Sequence, residues 1–320
     1  MSKQVDSWSL KDARKQHQEL GIFHTSTALA LKIKELLNQD NVTEVYDPTV
    51  GSGSLLAVFD DSVKKYGQEL DEQMCEYCRE HLVNCEIVHG DTLKDPAFKD
   101  HKFMAIVANP PYSVKWEPSD TDERFSVAPA IPPKATADYA FILHCLHYLA
   151  DTGRAVILLP PGILFRGNAE GKIRKWLIQK NWIEKIVAFA PKAFDDTAIA
   201  TVAVVFSKNK TTTDVVFEDT TIGKGRVVPL SEIEKNDFDL SIHRYVFNEI
   251  KEEAPDVLKN FIAFRETAIE SLKNILDIEW MLHTKVAPTV SKYDEFIAKL
   301  EEVINAAKSK RNGRDGVSQG

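Results

Sequence analysis

Asn109-Pro110-Pro111-Tyr112 follows the apolar run Phe103-Met104-Ala105-Ile106-Val107-Ala108, and these residue types in this order can hold a planar amine beside an electrophile. The Asn109 side-chain carbonyl and the Pro110 backbone carbonyl can accept the two N–H bonds of an exocyclic amino group, while the prolines stiffen the turn. Tyr112 offers a ring face for stacking. A polar turn at the carboxyl end of a buried strand is where open α/β sheets place their chemistry. For the tetrapeptide alone, the plainer alternative is a proline-rich connecting loop.

Upstream segments supply the rest of a pocket. Val45-Tyr46-Asp47-Pro48-Thr49-Val50-Gly51-Ser52-Gly53-Ser54-Leu55-Leu56 reads as a strand, a glycine turn and the start of a helix. Gly51 and Gly53 let the backbone approach a ligand closely, and a helix there would present free N–H groups and the positive end of its dipole. The pattern is not the phosphate-binding G-x-G-x-x-G, and Asp47 ahead of the turn would repel a pyrophosphate but attract a cationic amino group. That points to S-adenosylmethionine rather than a dinucleotide. The strand Lys65-Tyr66-Gly67-Gln68-Glu69 ends in a carboxylate placed to accept from both hydroxyls of a ribose. After Glu86-Ile87-Val88-His89-Gly90, Asp91 can accept from an adenine amine. Singly, Glu69 and Asp91 read as solvated loop acids; their order after successive strands, ahead of Asn109, favours a joint binding role.

The elements that must hold these residues alternate. Apolar spacing through Leu29, Ile33, Leu36 and Leu37 predicts a helix from Thr27 to Leu37, and strands follow near residues 44, 65, 86 and 103. A helix from Asp138 to Leu149, a strand from Arg154 to Leu159, a helix from Ala169 to Gln179, and strands near Ile186 and Val202 complete a doubly wound α/β sheet of seven-strand type. The stretch from Ser113 to Lys134, rich in Pro, Ser, Asp and Glu and without a period, predicts a long mobile loop, either a lid or DNA-contact loop or a disordered insertion. Composition changes beyond Leu230, dividing the chain into a 1–230 domain carrying the pocket and a helical 231–320 extension. Within the extension, Tyr293, Phe296, Ile297, Leu300, Val303, Ile304 and Ala307 mark one apolar helix stripe, for packing on the chain's own core or on a partner's helices. A basic tail, Lys308-Ser309-Lys310-Arg311-Asn312-Gly313-Arg314, follows.

At 320 residues and 43% hydrophobic content the chain can bury a full core. No apolar stretch approaches the roughly 20 residues that span a bilayer, and the first residues do not resemble a signal peptide, so the expected location is cytoplasmic. Forty Lys and Arg against 48 Asp and Glu leave a net charge of -8, which argues against strong unaided binding to DNA. Cys75, Cys78, His81 and Cys85 have superficial metal-ligand spacing, but no second paired set follows and all fall on or beside one helix. They read as reduced, partly buried thiols, with no metal expected; Cys145 reads as core.

The series of motifs resembles amino-group DNA methyltransferases. More narrowly it resembles the modification subunit of type I restriction-modification systems, through Leu159-Pro160-Pro161-Gly162-Ile163-Leu164-Phe165-Arg166-Gly167-Asn168-Ala169-Glu170-Gly171-Lys172-Ile173-Arg174, Ala137-Asp138-Tyr139-Ala140-Phe141-Ile142-Leu143-His144 and Asp237-Phe238-Asp239-Leu240-Ser241-Ile242-His243-Arg244-Tyr245. The resemblance covers about residues 19 to 250. It implies a Rossmann-like methyltransferase sheet and methyl transfer from S-adenosylmethionine to the exocyclic amine of a flipped adenine, with DNA, a specificity subunit and a restriction subunit as partners. It also implies that Phe23 and Thr25 line the cofactor pocket, where Phe23-His24-Thr25-Ser26 stands in place of the family's usual Phe-Tyr-Thr-Pro. Phe194 matches the family's second aromatic wall against the target base, and Asp196-Thr197-Ala198-Ile199-Ala200-Thr201 replaces the glycine-rich stretch that usually follows. The family's long helical amino-terminal domain has no counterpart, since the cofactor motif begins near residue 45. Two alternatives stay open: a protein or RNA methyltransferase using the same pocket, since glutamine methyltransferases share Asn-Pro-Pro-Tyr, and a non-catalytic assembly protein.

Overall fold

The structure is a computed structural model that describes residues 25–39, 41–189 and 201–247, with helical stretches at 262–271, 273, 294–295, 297–299 and 301–302. The chain divides into two compact units, Met1–Asn248 and Glu249–Gly320.

In the first unit, Ser26 opens helix α1 (Thr27–Leu37) by accepting from the Leu29 N–H, and Asn38 closes it in the left-handed conformation. Ala30, Ile33, Leu36 and Leu37 form its buried face. Then come β1 (Glu44–Asp47), β2 (Lys64–Glu69), α2 (Glu72–His81), β3 (Cys85–His89), β4 (Phe103–Ala108), the single-turn α3 (Glu123–Ser126), α4 (Asp138–Tyr148) and β5 (Leu149–Leu159). They are followed by α5 (Asn168–Gln179), β6 (Ile183–Phe189), β7 (Thr201–Ser207), β8 (Val215–Asp219), β9 (Lys224–Val228) and α6 (Leu230–Lys235).

The described strands form one sheet in the order β3-β2-β1-β4-β5-β7-β6-β8-β9. From β3 to β5 the pairing is parallel; β7 runs antiparallel between β5 and β6, and β9 is antiparallel to β8. Helices cover both faces. Ile106, Ala108, Ala155 and Ile157 enter one core, while Ala105, Val107, Val156 and Leu158 enter the other. Burial on both faces is why β4 and the end of β5 read as unbroken apolar runs rather than alternating ones. Helix α4, packed on the sheet, is buried nearly all round.

The chain direction reverses its lateral progress at β1, which pairs with β2 on one side and β4 on the other. Such a switch point opens a crevice at the carboxyl ends of the strands. Asp47, Glu69, Asp91 and Asn109 end, or closely follow, β1, β2, β3 and β4, so the topology delivers all four to that crevice.

Three expectations are corrected. The sheet has two strands beyond the seven-strand type, β8 and β9, which form a hairpin turned at Gly223 (φ +62°). The segment after Gly51 is a run of turns rather than a helix: Leu56 and Ala57 donate to Gly53 O and Phe59 donates to Leu56 O, after which Asp60-Asp61-Ser62 leads straight into β2. The backbone there closes separate three- and four-residue turns instead of a continuous i→i−4 ladder. The stretch from Ser113 to Lys134 is a packed loop closed at its base. Ala137 N–H donates to Val114 O and Trp116 N–H to Lys134 O, with Trp116 and Phe125 buried edge to face, ring centroids 4.8 Å apart. Two aromatics in an otherwise polar segment were the available signal of a buried anchor.

The first unit extends past the compositional change at Leu230. Leu240 N–H donates to Leu164 O, and Tyr245 packs on Phe217 at 4.4 Å between centroids, its hydroxyl donating to Asp239 O. In the second unit, residues 262–271 are helical with Ile269 buried and Phe264 exposed, and Lys273 Nζ donates to Glu301 Oε1 at 2.9 Å. Ile297 is buried; the rest of the apolar stripe from Tyr293 to Ala307 and the basic tail lie outside the described residues.

Candidate active site

A cavity of about 530 Å³ occupies the crevice, and Thr25, Asp47, Gly51, Glu69, Asp91, Asn109 and Pro111 all line it. The loop after Tyr112 adds Val114, Lys115, Trp116 and Glu117 to the lining, with Lys134 beside Glu117.

Asp47 is 1% exposed, and its Oδ1 accepts from the Thr49 N–H at 2.9 Å and the Thr49 hydroxyl at 3.4 Å. Burial, reinforced by the nearby Glu69 charge and opposed by the Thr49 bonds, pushes its carboxyl up to about 7. Glu69 reaches across to the glycine turn: Oε2 accepts from Gly51 N–H at 2.8 Å and Oε1 from Asp71 N–H at 3.0 Å. Gly51 takes φ +52°, so this carboxylate holds open a turn that a side chain would strain. Each Glu69 oxygen keeps acceptor capacity for a diol. Asp91 Oδ1 caps its own turn, accepting from Leu93 N–H at 2.9 Å and Lys94 N–H at 3.3 Å. Its local structural role and its place in the cavity wall therefore coexist.

Asn109 Nδ2 donates to Thr25 Oγ1 at 3.0 Å. No hydrogen bond reaches Asn109 Oδ1 among the described residues, which leaves that carbonyl as an acceptor at the cavity wall. Pro110 is buried. Tyr112 is half-buried and outside the cavity lining; desolvation pushes its phenol up to about 12 against a side-chain hydrogen bond with Thr201. Gly53 also stands outside the lining. Its φ of +78° is one that a side chain would strain, and a Cβ there would sit 2.9 Å from Leu82 Cδ1 and 3.1 Å from Cys78 Sγ, so turn geometry and packing both call for glycine. Phe23 and Phe194 lie outside the described residues.

The sequence reading missed the second layer. Arg124, 3% exposed, donates to Thr92 O (2.8 Å) and Leu93 O (2.6 Å), to both Asp122 oxygens, and to His144 Nδ1 at 2.9 Å. A guanidinium only donates, so His144 Nδ1 accepts and its Nε2–H points to the Tyr46 hydroxyl at 3.0 Å. Burial and the Arg124 charge hold His144 well below the usual histidine range, consistent with a neutral ring. This buried set fastens the loop to the strand end that carries Asp91. Phe141, Leu70 and Met74 add apolar wall.

The cysteines serve packing. Cys75 Sγ donates to Glu69 O and Cys78 Sγ to Gly51 O, and burial pushes their thiols up to about 11 and about 12. No group of three or more His, Cys, Asp or Glu placed to hold a metal occurs among the described residues. Nor, among them, is any helix long and apolar enough to cross a membrane.

A switch-point cavity lined by acids from successive strands, beside an Asn-Pro-Pro-Tyr turn, defines the S-adenosylmethionine-dependent methyltransferase class of α/β fold. The chain belongs to the N-6 DNA methylase family, which it matches over residues 8–225. It is similar to the type I restriction enzyme MpnII methylase subunit of Mycoplasma pneumoniae, 28% identical over 309 residues, covering 78% of this chain and 55% of that protein. It is also similar to the MjaVII methylase subunit of Methanocaldococcus jannaschii, at 27% identity over 330 residues, 84% of this chain and 57% of that one. The crystal structure of a type I restriction-modification methyltransferase subunit from Streptococcus thermophilus matches with a TM-score of 0.65 at 30% identity, covering 70% of this chain and 59% of that one. The chain thus spans a little over half the length of the curated relatives it matches.

Proposed function

We propose that this chain transfers a methyl group from S-adenosylmethionine to the exocyclic amine of adenine in DNA, as the modification subunit of a type I restriction-modification complex. The observation that carries this reading is the Asn109 amide, whose Nδ2 is taken by Thr25 and whose Oδ1, at the cavity wall, meets no donor among the described residues. The cavity's donor set fits the cofactor. Asp47, held near neutrality by burial, gains from a cationic amino group, and the remaining lone pairs of Glu69 and Asp91 suit a ribose diol and an adenine amine. Bound there, S-adenosylmethionine would supply an electrophilic methyl carbon.

The chain's own residues would position the acceptor. Asn109 Oδ1 and the Pro110 carbonyl accept the two N–H bonds of the amine, drawing its protons to one side and leaving the nitrogen lone pair available. As an N–C bond formed and the S–C bond broke, the nitrogen would gain positive charge, which those fixed dipoles hold more strongly until one N–H proton passes to solvent, so their contribution is positioning and electrostatic stabilisation. An adenine amine inside a duplex is engaged in pairing, so the base must leave the stack at a cost of a few kcal/mol. Tyr112 and Phe194 are the proposed aromatic walls for the extruded base. With a net charge of -8, the phosphate contacts would come from a specificity subunit, with a restriction subunit joining where cleavage accompanies modification. The 249–320 unit is the proposed docking element. The relatives' description as methylase subunits of type I restriction enzymes supports this reading.

The test is calorimetric titration with S-adenosylmethionine, then transfer of labelled methyl to adenine-containing duplex DNA with and without the specificity subunit. Asn109→Ala should bind cofactor yet lose about a hundredfold or more in kcat. An unchanged rate in that variant overturns the assignment. Transfer to protein or RNA instead of DNA would keep the pocket and change the substrate, and cofactor binding without transfer to any acceptor would favour an assembly role.

A further inference from the structure

Immediately beyond Tyr112 the backbone turns through Ser113, which holds φ +53°, a conformation that a residue with a side chain adopts only when its surroundings impose it. What imposes it is visible. Ser113 N–H donates to Asp138 Oδ1 at 2.7 Å and its hydroxyl to Asp138 Oδ2 at 3.3 Å. Asp138 is 1% exposed, and Arg166 Nη1 donates to the same Oδ2 at 2.7 Å. Arg166 is held in turn by Glu170, at 3.3 Å, and its Nη2 reaches the Ser113 hydroxyl, also at 3.3 Å. Glu170 accepts from the Thr136 hydroxyl at 2.9 Å. The first residue of α4, the loop after β5 and the first turn of α5 therefore converge on the last bend of the Asn109–Tyr112 turn. Gly162 is part of the fit, since a Cβ there would lie 2.5 Å from Arg166 Nε. Arg174 fixes the loop from behind by donating to Ile163 O and Arg166 O.

We propose that Asp138 is a positioning residue for methyl transfer, and that with Arg166 it clamps Ser113 in the left-handed conformation that sets the exit of the Asn109-Pro110-Pro111-Tyr112 turn. The proposal rests on the catalytic reading of that turn. It accounts for why the Asp138, Arg166 and Glu170 segments accompany the turn in one chain although none of the three lines the cavity. An acid in the first turn of α4 also favours that helix's positive end, a purely structural contribution that predicts lost stability and nothing specific to turnover.

Two readouts separate these roles in the full chain with its specificity subunit. The first is kinetic. Asp138→Asn should lower kcat by about ten- to a hundredfold, as misplacement of an orienting carbonyl does, with the KM for S-adenosylmethionine nearly unchanged because Asp47, Glu69 and Asp91 are positioned by β1, β2 and the turn after β3 rather than by Ser113. In that background Ser113→Gly should restore most of the lost kcat, because glycine takes positive φ without a clamp. A kcat untouched by Asp138→Asn, or a loss that Ser113→Gly leaves in place, overturns the proposal. The second needs no turnover: hydrogen exchange at the Ser113 amide should be slow in the wild type and accelerate at least tenfold in Asp138→Ala at equal global stability. Equal exchange in the two proteins refutes the clamp. A wild type that transfers no methyl group while its Ser113 amide remains Asp138-protected would instead count against the proposed function and leave the clamp standing.

Discussion

At the scale of single residues, Asp47 is a carboxylate that gains from any cation brought beside it. Its folded-state value of about 7 lies above the ordinary 3.8, so this group lowers the stability of the empty fold as pH rises from about 4 to about 7, and a bound cation reverses that loss. Affinity for S-adenosylmethionine should therefore increase with pH up to about 7, falling roughly tenfold for each unit below it. Titration calorimetry between pH 5.5 and 7.5 checks this, and Asp47→Asn should bind weakly with a flat profile. A wild-type affinity independent of pH across that window would mean that Asp47 faces no ligand charge. Asp47, Glu69, Asp91 and Asn109 were legible in the sequence because a strand run announces its own carboxyl end. What each already holds was not legible. That Glu69 props the Gly51 turn, that Thr25 takes the Asn109 amide, and that Gly53 serves packing against Leu82 all depend on partners distant in sequence.

At the scale of elements, the sequence marked most helices and strands because caps and apolar periods are local. Ser26 and Asn38 bound α1 where the spacing placed it. Two segments were misread for opposite reasons. After Gly51 the glycine signal was right, but the backbone closes separate turns instead of a continuous helical ladder. From Ser113 to Lys134 the polar composition concealed an anchor whose acceptors, Thr92 O and Leu93 O, lie over thirty residues upstream. Arg124 is that anchor. Replacing it with Met would leave two buried carbonyls and most of the Asp122 carboxylate without their donor, and should cost about 3 kcal/mol of unfolding free energy. Urea denaturation of the full chain measures this; a loss under about 1 kcal/mol would show that the loop is held by Trp116 and Phe125 packing alone. Because the same carbonyls follow Asp91, the variant should also weaken cofactor binding, coupling loop order to the pocket.

For the whole molecule, charge decides how much of the proposed DNA recognition this chain could perform alone. It carries -8 overall, and the lysines lining the cavity are Lys94, Lys115 and Lys134, the last of them paired with Glu117 at 2.9 Å. Non-specific DNA affinity is built from phosphate contacts, each adding about -0.9 to the slope of log affinity against log salt. If Lys94 and Lys115 are the contacts available, the chain alone should show a slope near -2 and bind a short duplex no tighter than about 10 µM at 150 mM salt. S-adenosylmethionine binding should be unaffected, since the cavity proposed for it lies within the first unit. Adding the specificity subunit should both tighten DNA binding and steepen the slope, because new phosphate contacts enter with the partner. Fluorescence anisotropy across a salt series with and without that subunit makes the comparison. Sub-micromolar binding by the isolated chain with a steep slope would place the DNA-binding surface here, on a basic face that the net charge conceals. A shallow slope that the partner steepens would assign this chain the chemistry and the partner the grip on DNA.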